Sequence, residues 1–101
     1  MPTALVTGGA VRLGRSIVLH LAERGYDIAL HYGSSGEVAE QTAKQVRQFG
    51  VQCKTYRVDF TNFDFISSLM DQVIEDFDSV DLLVNSAANF IQKKLGETSN
   101  Q

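Results

Sequence analysis

The stretch Thr7-Gly8-Gly9-Ala10-Val11-Arg12-Leu13-Gly14-Arg15-Ser16 concentrates residue types that hold phosphate. Glycines let the backbone approach a ligand. The first amides of a helix, at the positive end of its dipole, favour an anion. Two spacings overlap in this stretch. From Gly9 it runs G-x-x-x-x-G-K-[ST] with Arg15 in the lysine place, the cradle of a nucleoside triphosphate. From Thr7 it is a Thr-Gly turn followed by Gly14, nearer to a dinucleotide-binding loop. A glycine-rich turn that binds nothing is the bland reading of the same residues.

The triphosphate spacing asks for a compact lysine charge, and Arg15 is bulkier and planar. It also asks for an acid at the end of an apolar neighbouring strand to help hold Mg²⁺. The apolar run Leu82-Leu83-Val84 has its acid, Asp81, at the start and Asn85 at the end. Asp59 does end a strand, but Tyr56 and Arg57 make that strand a poor match. The triphosphate match is near but incomplete.

Other reactive side chains have plainer readings. His20 reads as a packed or half-exposed helix residue rather than a base, and Cys53 as a small core residue. His31, at the end of a strand, either touches a cofactor or simply packs. Asp71, Glu75, Asp76 and Asp78 form a solvated face without metal-ligand spacing, and Lys93-Lys94 read as an exposed loop.

The elements that must position these residues alternate between strand and helix. Ala4-Leu5-Val6 is a first buried strand, ending at Thr7-Gly8-Gly9. Leu13, Ile17 and Leu21, with Val18 beside them, give a first helix that Gly25 stops. Tyr26 to Tyr32 is a second strand. Ser34 and Glu37 form a capping-box pair for a helix carrying Val38, Thr42, Val46 and Phe49 on one face, and Gly50 stops it. Cys53 to Asp59 is a third strand of mixed polarity. Thr61 or Asn62 can cap a third helix with Ile66, Leu69, Met70, Val73 and Phe77 as its apolar face. Leu82-Leu83-Val84 is the fourth strand. Strands joined through helices by short connections predict right-handed crossovers and a parallel sheet. The apolar, non-alternating first, second and fourth strands predict cover on both faces. The tail from Gln92 to Gln101 is polar and aperiodic.

The 101 residues suit one small domain, with 44% hydrophobic residues to build a core. Net charge is −3, with Lys and Arg scattered, which argues against a nucleic-acid surface. The single cysteine excludes an intrachain disulfide and fits a reducing compartment. Met1-Pro2-Thr3 lacks a basic n-region, and the apolar run behind it is too short for a signal peptide or a membrane span. The expectation is a soluble, cytoplasmic protein.

Thr7-Gly8-x-x-x-Arg12-Leu13-Gly14 resembles the T-G-x-x-x-G-x-G loop of short-chain dehydrogenases/reductases, with Arg12 in the middle glycine place. Asp59-Phe60 resembles the acid-plus-apolar pair after their third strand, which contacts adenine. The segment from Asp81 to Ala88 resembles their D-x-L-V-N-N-A-G, with Ser86 and Ala88 replacing the second Asn and the Gly. The resemblance covers essentially the whole chain and corresponds to that family's N-terminal half. It implies a Rossmann-type α/β fold, a parallel sheet of strand order 3-2-1-4 with helices on both faces. Within the family, a T-G-x-x-x-R-[LI]-G-R loop is similar to that of pteridine reductases and their bacterial dihydropterin-reductase relatives. Leu30-His31-Tyr32-Gly33-Ser34-Ser35 is similar to their L-H-Y-x-R-S, and Asn85 to Phe90 to their N-N-A-S-x-F. Ser34 stands where that group has a phosphate-binding Arg, and Ala88 where it has a Ser.

The resemblance implies a nicotinamide cofactor bound by Gly8, Arg12, Leu13, Gly14, His31, Tyr32, Ser34, Ser35, Asp59, Phe60, Asn85, Ser86 and Ala87. It implies a pterin substrate stacked on Phe90, and no metal. An acid ending the second strand would bind the ribose 2′-OH and repel a 2′-phosphate. None is there: His31-Tyr32-Gly33-Ser34-Ser35 offers hydroxyls and N–H donors, and the next acid is Glu37. With Arg12 able to fork two phosphate oxygens, the expected cofactor is NADP(H). The family's proton donor is a Tyr-x-x-x-Lys pair, and none of Tyr26, Tyr32 or Tyr56 has a Lys four residues on. These residues are therefore expected to be the NADP-binding half of a reductase, inactive alone, with a small-molecule substrate and a dimeric or tetrameric parent. A non-catalytic NADP(H)-binding or sensing module is the alternative, and a P-loop nucleotide hydrolase a further one.

Overall fold

The computed structural model of the chain describes residues 2–8, 12–33, 36–58 and 65–86. Seven elements alternate along it: β1 (Thr3–Thr7), α1 (Arg12–Glu23), β2 (Asp27–Tyr32), α2 (Gly36–Arg47), β3 (Cys53–Arg57), α3 (Phe65–Phe77) and β4 (Leu82–Asn85). The strands form one sheet in the order β3-β2-β1-β4, as expected, and every pairing is parallel. Leu5 lies opposite Ala29 on one side and Leu83 on the other.

Successive residues of a strand point to opposite faces, so each inner strand feeds two cores. Ala4, Val6, Ile28 and Leu30 pack with Val18 and Ala22 of α1 and Ala39, Ala43 and Val46 of α2. Leu5, Ala29 and Tyr56 pack on the other face with Leu69 and Val73 of α3. The sheet is thus covered by α1 and α2 on one face and by α3 on the other. The order of the strands reverses at β1, which places a crevice beyond the C-terminal ends of β1 and β4.

Helix periodicity located the helices but misplaced parts of their buried faces. In α1 the buried residues are Gly14, Val18 and Ala22, while Leu13 is 64% exposed. Small side chains spaced by four let the helix lie close to the sheet, and Leu19 and Leu21 pack on the flanks. In α2 the buried set is Ala39, Thr42, Ala43 and Val46. Phe49 falls beyond the last turn and is 48% exposed. The fourth strand also departs from expectation: Leu83 is 43% exposed. Among the described residues β4 bonds only to β1, so one flank lacks a neighbour to cover it.

The stops are legible in hydrogen bonds. Gly25 adopts φ 94, its N–H donates to Ala22 O at 3.0 Å and that of Tyr26 to Leu21 O at 3.1 Å. This paired closure needs a left-handed residue, which only glycine adopts without strain. Asp78 plays the same part after α3 with φ 78, its N–H donating to Ile74 O at 2.7 Å. The capping residues Ser34, Thr61 and Asn62, the adenine pair Asp59-Phe60, and the segment holding Ala87, Phe90 and Lys93-Lys94 lie outside the described residues.

Candidate functional site

The C-terminal ends of β1 and β4 are fastened side by side. Thr7 is paired with Asn85 in the sheet register, and Thr7 Oγ1 donates to Asn85 Oδ1 at 2.5 Å. The Ser86 hydroxyl donates to the Thr7 carbonyl. Gly8 then turns with φ 65, a left-handed conformation that suits glycine. Its N–H donates to His31 Nδ1 at 3.0 Å. Gly14 completes the cluster from the first turns of α1. A Cβ placed on it would run into the Gly8 carbonyl oxygen and lie 2.7 Å from Ser86 Oγ. Gly8, Gly14, Asn85, Ser86 and His31, far apart in the chain, are therefore one physical unit.

The outer side of this unit is the start of α1. Arg12 and Leu13 are exposed there, and Arg12 holds φ 53. An L-residue in the left-handed region costs about 1–2 kcal/mol. The strain falls at the place where the resembling loops carry a glycine. The first turn of α1 contains no acid. Its positive dipole end thus faces the crevice without an internal counter-charge, an arrangement that accepts phosphate. Arg15 points elsewhere: its Nε and Nη2 donate to Gln45 Oε1 on α2 at 3.2 and 2.6 Å. Asp81 sits at the opposite end of the sheet, where its carboxylate accepts from the Thr3 N–H at 2.8 Å. Arg15 and Asp81 are thus committed to structure, and Asp59 lies outside the described residues.

His31 lies beneath the Gly8 turn. It is fully buried, so it works behind the crevice surface rather than on it. Its Nε2 lies 2.9 Å from the Val58 carbonyl. Burial pushes the imidazole below its usual pKa, and the Val58 carbonyl opposes that shift. A lowered folded-state value means that stability is full above the ordinary histidine range of about 6.5 and is lost as pH falls below it. Urea midpoints should therefore drop between about pH 7 and about pH 5. His31→Asn should flatten that part of the profile. Equal slopes in wild type and His31→Asn would contradict it.

Tyr32 ends β2 half-buried, with its ring beside Gly36 at the start of α2. Of the other expected contacts, Ser34, Ser35, Asp59, Phe60, Ala87 and Phe90 fall outside the described residues. Thr7 and Val58 belong to the site although sequence reasoning passed over them as contacts. The Thr7-Gly8 dipeptide, matched against Asn85, carried the signal for Thr7; nothing local marked the Val58 carbonyl.

A cavity of about 420 Å³ lies elsewhere, along the outer edge of β3, lined among others by Arg47, Cys53, Lys54 and Asp76. Its charged side chains are already paired. Arg47 donates to Cys53 O at 2.9 Å and meets Glu40 at 3.0 Å, and Lys54 meets Asp76 at 3.0 Å. Tyr56 also donates to Asp76 at 2.7 Å. Burial pushes the Cys53 thiol up to about 12, which suits a core residue and not a nucleophile. Among the described residues no group of acids, histidines and cysteines could hold a metal, and no helix is long and apolar enough to cross a membrane.

Comparison with known proteins agrees with this geometry. The family described as short chain dehydrogenase matches residues 2–101. A 3-oxoacyl-[acyl-carrier-protein] reductase FabG of Staphylococcus aureus (strain Mu50) is 38% identical over 85 residues, covering 84% of this chain and 35% of the relative. A dehydrogenase from Burkholderia cenocepacia with bound NADP superposes with a TM-score of 0.79 at 34% identity, over 83% of this chain and 33% of its own. An NAD⁺-bound xylitol dehydrogenase superposes with a TM-score of 0.75, also at 34% identity, over 81% of this chain and 31% of its own. The chain spans about a third of the length of these relatives. With its sheet order, its glycine turn and its Asn85 segment, the chain belongs to the short-chain dehydrogenase family.

Proposed function

We propose that this chain is the cofactor-binding half of an NADPH-dependent oxidoreductase that reduces a carbonyl or a pterin imine. The observation that carries the proposal is the clamped Gly8–Gly14–Ser86 cluster beneath an acid-free helix start, with Arg12 exposed beside it. Gly14 lets α1 pack directly on the Gly8 turn, and that close packing is what sets a helix start at the crevice where such folds bind a pyrophosphate. When bound, NADPH supplies the hydride. The residues of this chain bind and orient: the α1 amides hold phosphate, Asn85 and Ser86 keep the ends of β1 and β4 together, and Arg12 engages the 2′-phosphate. Ser34, Ser35, Asp59, Phe60 and Ala87 are assigned to the adenosine and nicotinamide sides. Proton transfer is assigned to residues outside this sequence, since the 101 residues contain no Tyr-x-x-x-Lys.

The choice of NADPH rests on charge. β2 ends in His31-Tyr32, and no acid intervenes before Glu37. Two arginines in the first turn of α1 oppose its dipole, a placement that an anion relieves. A pterin substrate stacked on Phe90, a homo-oligomeric parent and a cytoplasmic location complete the proposal, on the resemblance to pteridine reductases.

Arg12 tests the cofactor assignment. Loss of a charge-assisted phosphate contact of about 1.5–3 kcal/mol corresponds to roughly tenfold to a hundredfold in affinity. Arg12→Ala should weaken NADPH by that factor while leaving NADH within about threefold. Arg12→Gly should do the same to binding, yet be more stable than Arg12→Ala, because glycine accepts φ 53. NADH bound as tightly as NADPH by the wild type, or equal losses for both cofactors in Arg12→Ala, would refute the assignment.

A further inference from the structure

We infer that His31 is a positioning residue that fixes the Gly8 turn, and so the aim of the cofactor loop, by joining it to the exit of β3. The inference deepens the cofactor reading above and rests on it for its binding arm. Gly8 N–H is a donor with no lone pair, so the nitrogen it meets at 3.0 Å, His31 Nδ1, must be unprotonated. The hydrogen of the neutral ring is then on Nε2, which donates to Val58 O at 2.9 Å. One tautomer satisfies both contacts. The Val58 N–H in turn donates to Tyr32 O at 3.1 Å, so the exit of β3 is tied to β2 just beyond their last paired residues.

The consequence for the loop is geometric. The amide of Gly8 is drawn inward to the imidazole, and its carbonyl faces Gly14 at a distance that leaves no room for a Cβ. Both ends of the Gly8 residue are therefore held, and the direction in which the chain leaves β1 is set from below. The Gly8 N–H is engaged by His31, so phosphate must be met by later amides of the loop and by the α1 start. The same ring spans β1, β2 and the end of β3, which leads into Asp59. The phosphate side and the adenine side of the crevice thus share one buried hinge pin, reached by neither ligand part directly.

Two substitutions separate the ring nitrogens. Asn places its amide oxygen near Nδ1 and keeps the acceptor for Gly8. Gln places its amide near Nε2 and keeps the donor for Val58. Each loses one buried hydrogen bond, so a merely structural role predicts similar damage from both. The inference predicts different damage at the loop. In His31→Asn, exchange of the Gly8 amide should stay slow, and NADPH should weaken less than in His31→Gln, since only the Val58 link is lost. In His31→Gln, Gly8 exchange should accelerate and NADPH should weaken by at least about tenfold. In the wild type, imidazole ¹⁵N shifts should report the Nε2–H tautomer. An Nδ1–H tautomer, unchanged Gly8 exchange in His31→Gln, or equal losses in the two variants would overturn the inference. A wild type with slow Gly8 exchange that fails to bind NADPH would instead sink the cofactor reading while leaving the His31–Gly8 link standing.

Discussion

Gly14→Ala should lower both stability and cofactor affinity, although alanine is the better helix former. At an exposed helix position the change would stabilise by up to about 1 kcal/mol. Here the added methyl meets the Gly8 carbonyl, which is backbone, and Ser86 Oγ at 2.7 Å. The side chain could rotate away; the carbonyl moves only if the turn moves. Overpacking of this kind costs about 1–3 kcal/mol. The Gly8 turn is also the floor of the proposed phosphate site, so the shift should weaken NADPH by at least about tenfold. Urea denaturation and fluorescence titration of NADPH measure the two effects. Adding Ser86→Gly should recover little, because it removes the lesser of the two obstacles. Full recovery in the double variant would show that the backbone contact does not decide the matter.

The second large effect is expected at Leu30. It is fully buried at the middle of the face shared by α1 and α2. Leu30→Ala should destabilise by about 2–5 kcal/mol, through lost apolar burial and the cavity left behind. For a small domain with a margin of about 5–15 kcal/mol, that is a large fraction of the whole. Leu13→Ala removes the same atoms from a residue that is 64% exposed, and should change stability by less than about 0.5 kcal/mol. Similar urea midpoints for the two variants would contradict the placement of the core.

Hydrophobic pattern made most of the architecture readable. The strands and helices appear in the predicted order, and Gly25 and Gly50 stop their helices with φ 94 and φ 83. The pattern failed where size mattered more than hydropathy. Leucine and isoleucine at every fourth place, with Val18 beside them, suggested the buried face of α1; Val18 is buried there, but its companions are Gly14 and Ala22. The backbones come too close there for larger side chains, and periodicity weighs apolar character, not bulk. It failed again at β4, whose run of leucines reads as doubly covered while Leu83 is 43% exposed. A strand's own residues do not say whether it has a neighbour on each flank.

The site divided along the same line. Type and spacing were enough to propose Thr7 to Ser16 as a phosphate-binding turn, because a strand, a glycine and a helix start suffice to present amides. The family resemblance set that turn against Asn85-Ser86 and favoured a dinucleotide over a triphosphate. Only the tertiary structure decided which arginine is available and what His31 does. Arg15 is held by Gln45, thirty residues on, while Arg12 is exposed beside the turn with φ 53. His31 lies under the crevice because parallel pairing brings β2 beside β1, so its ring reaches Gly8 on one side and Val58 on the other. Hydrogen bonds between residues more than twenty positions apart have no local signature in sequence. They exist only once the sheet has closed, and they turn a glycine-rich loop into a site of fixed shape.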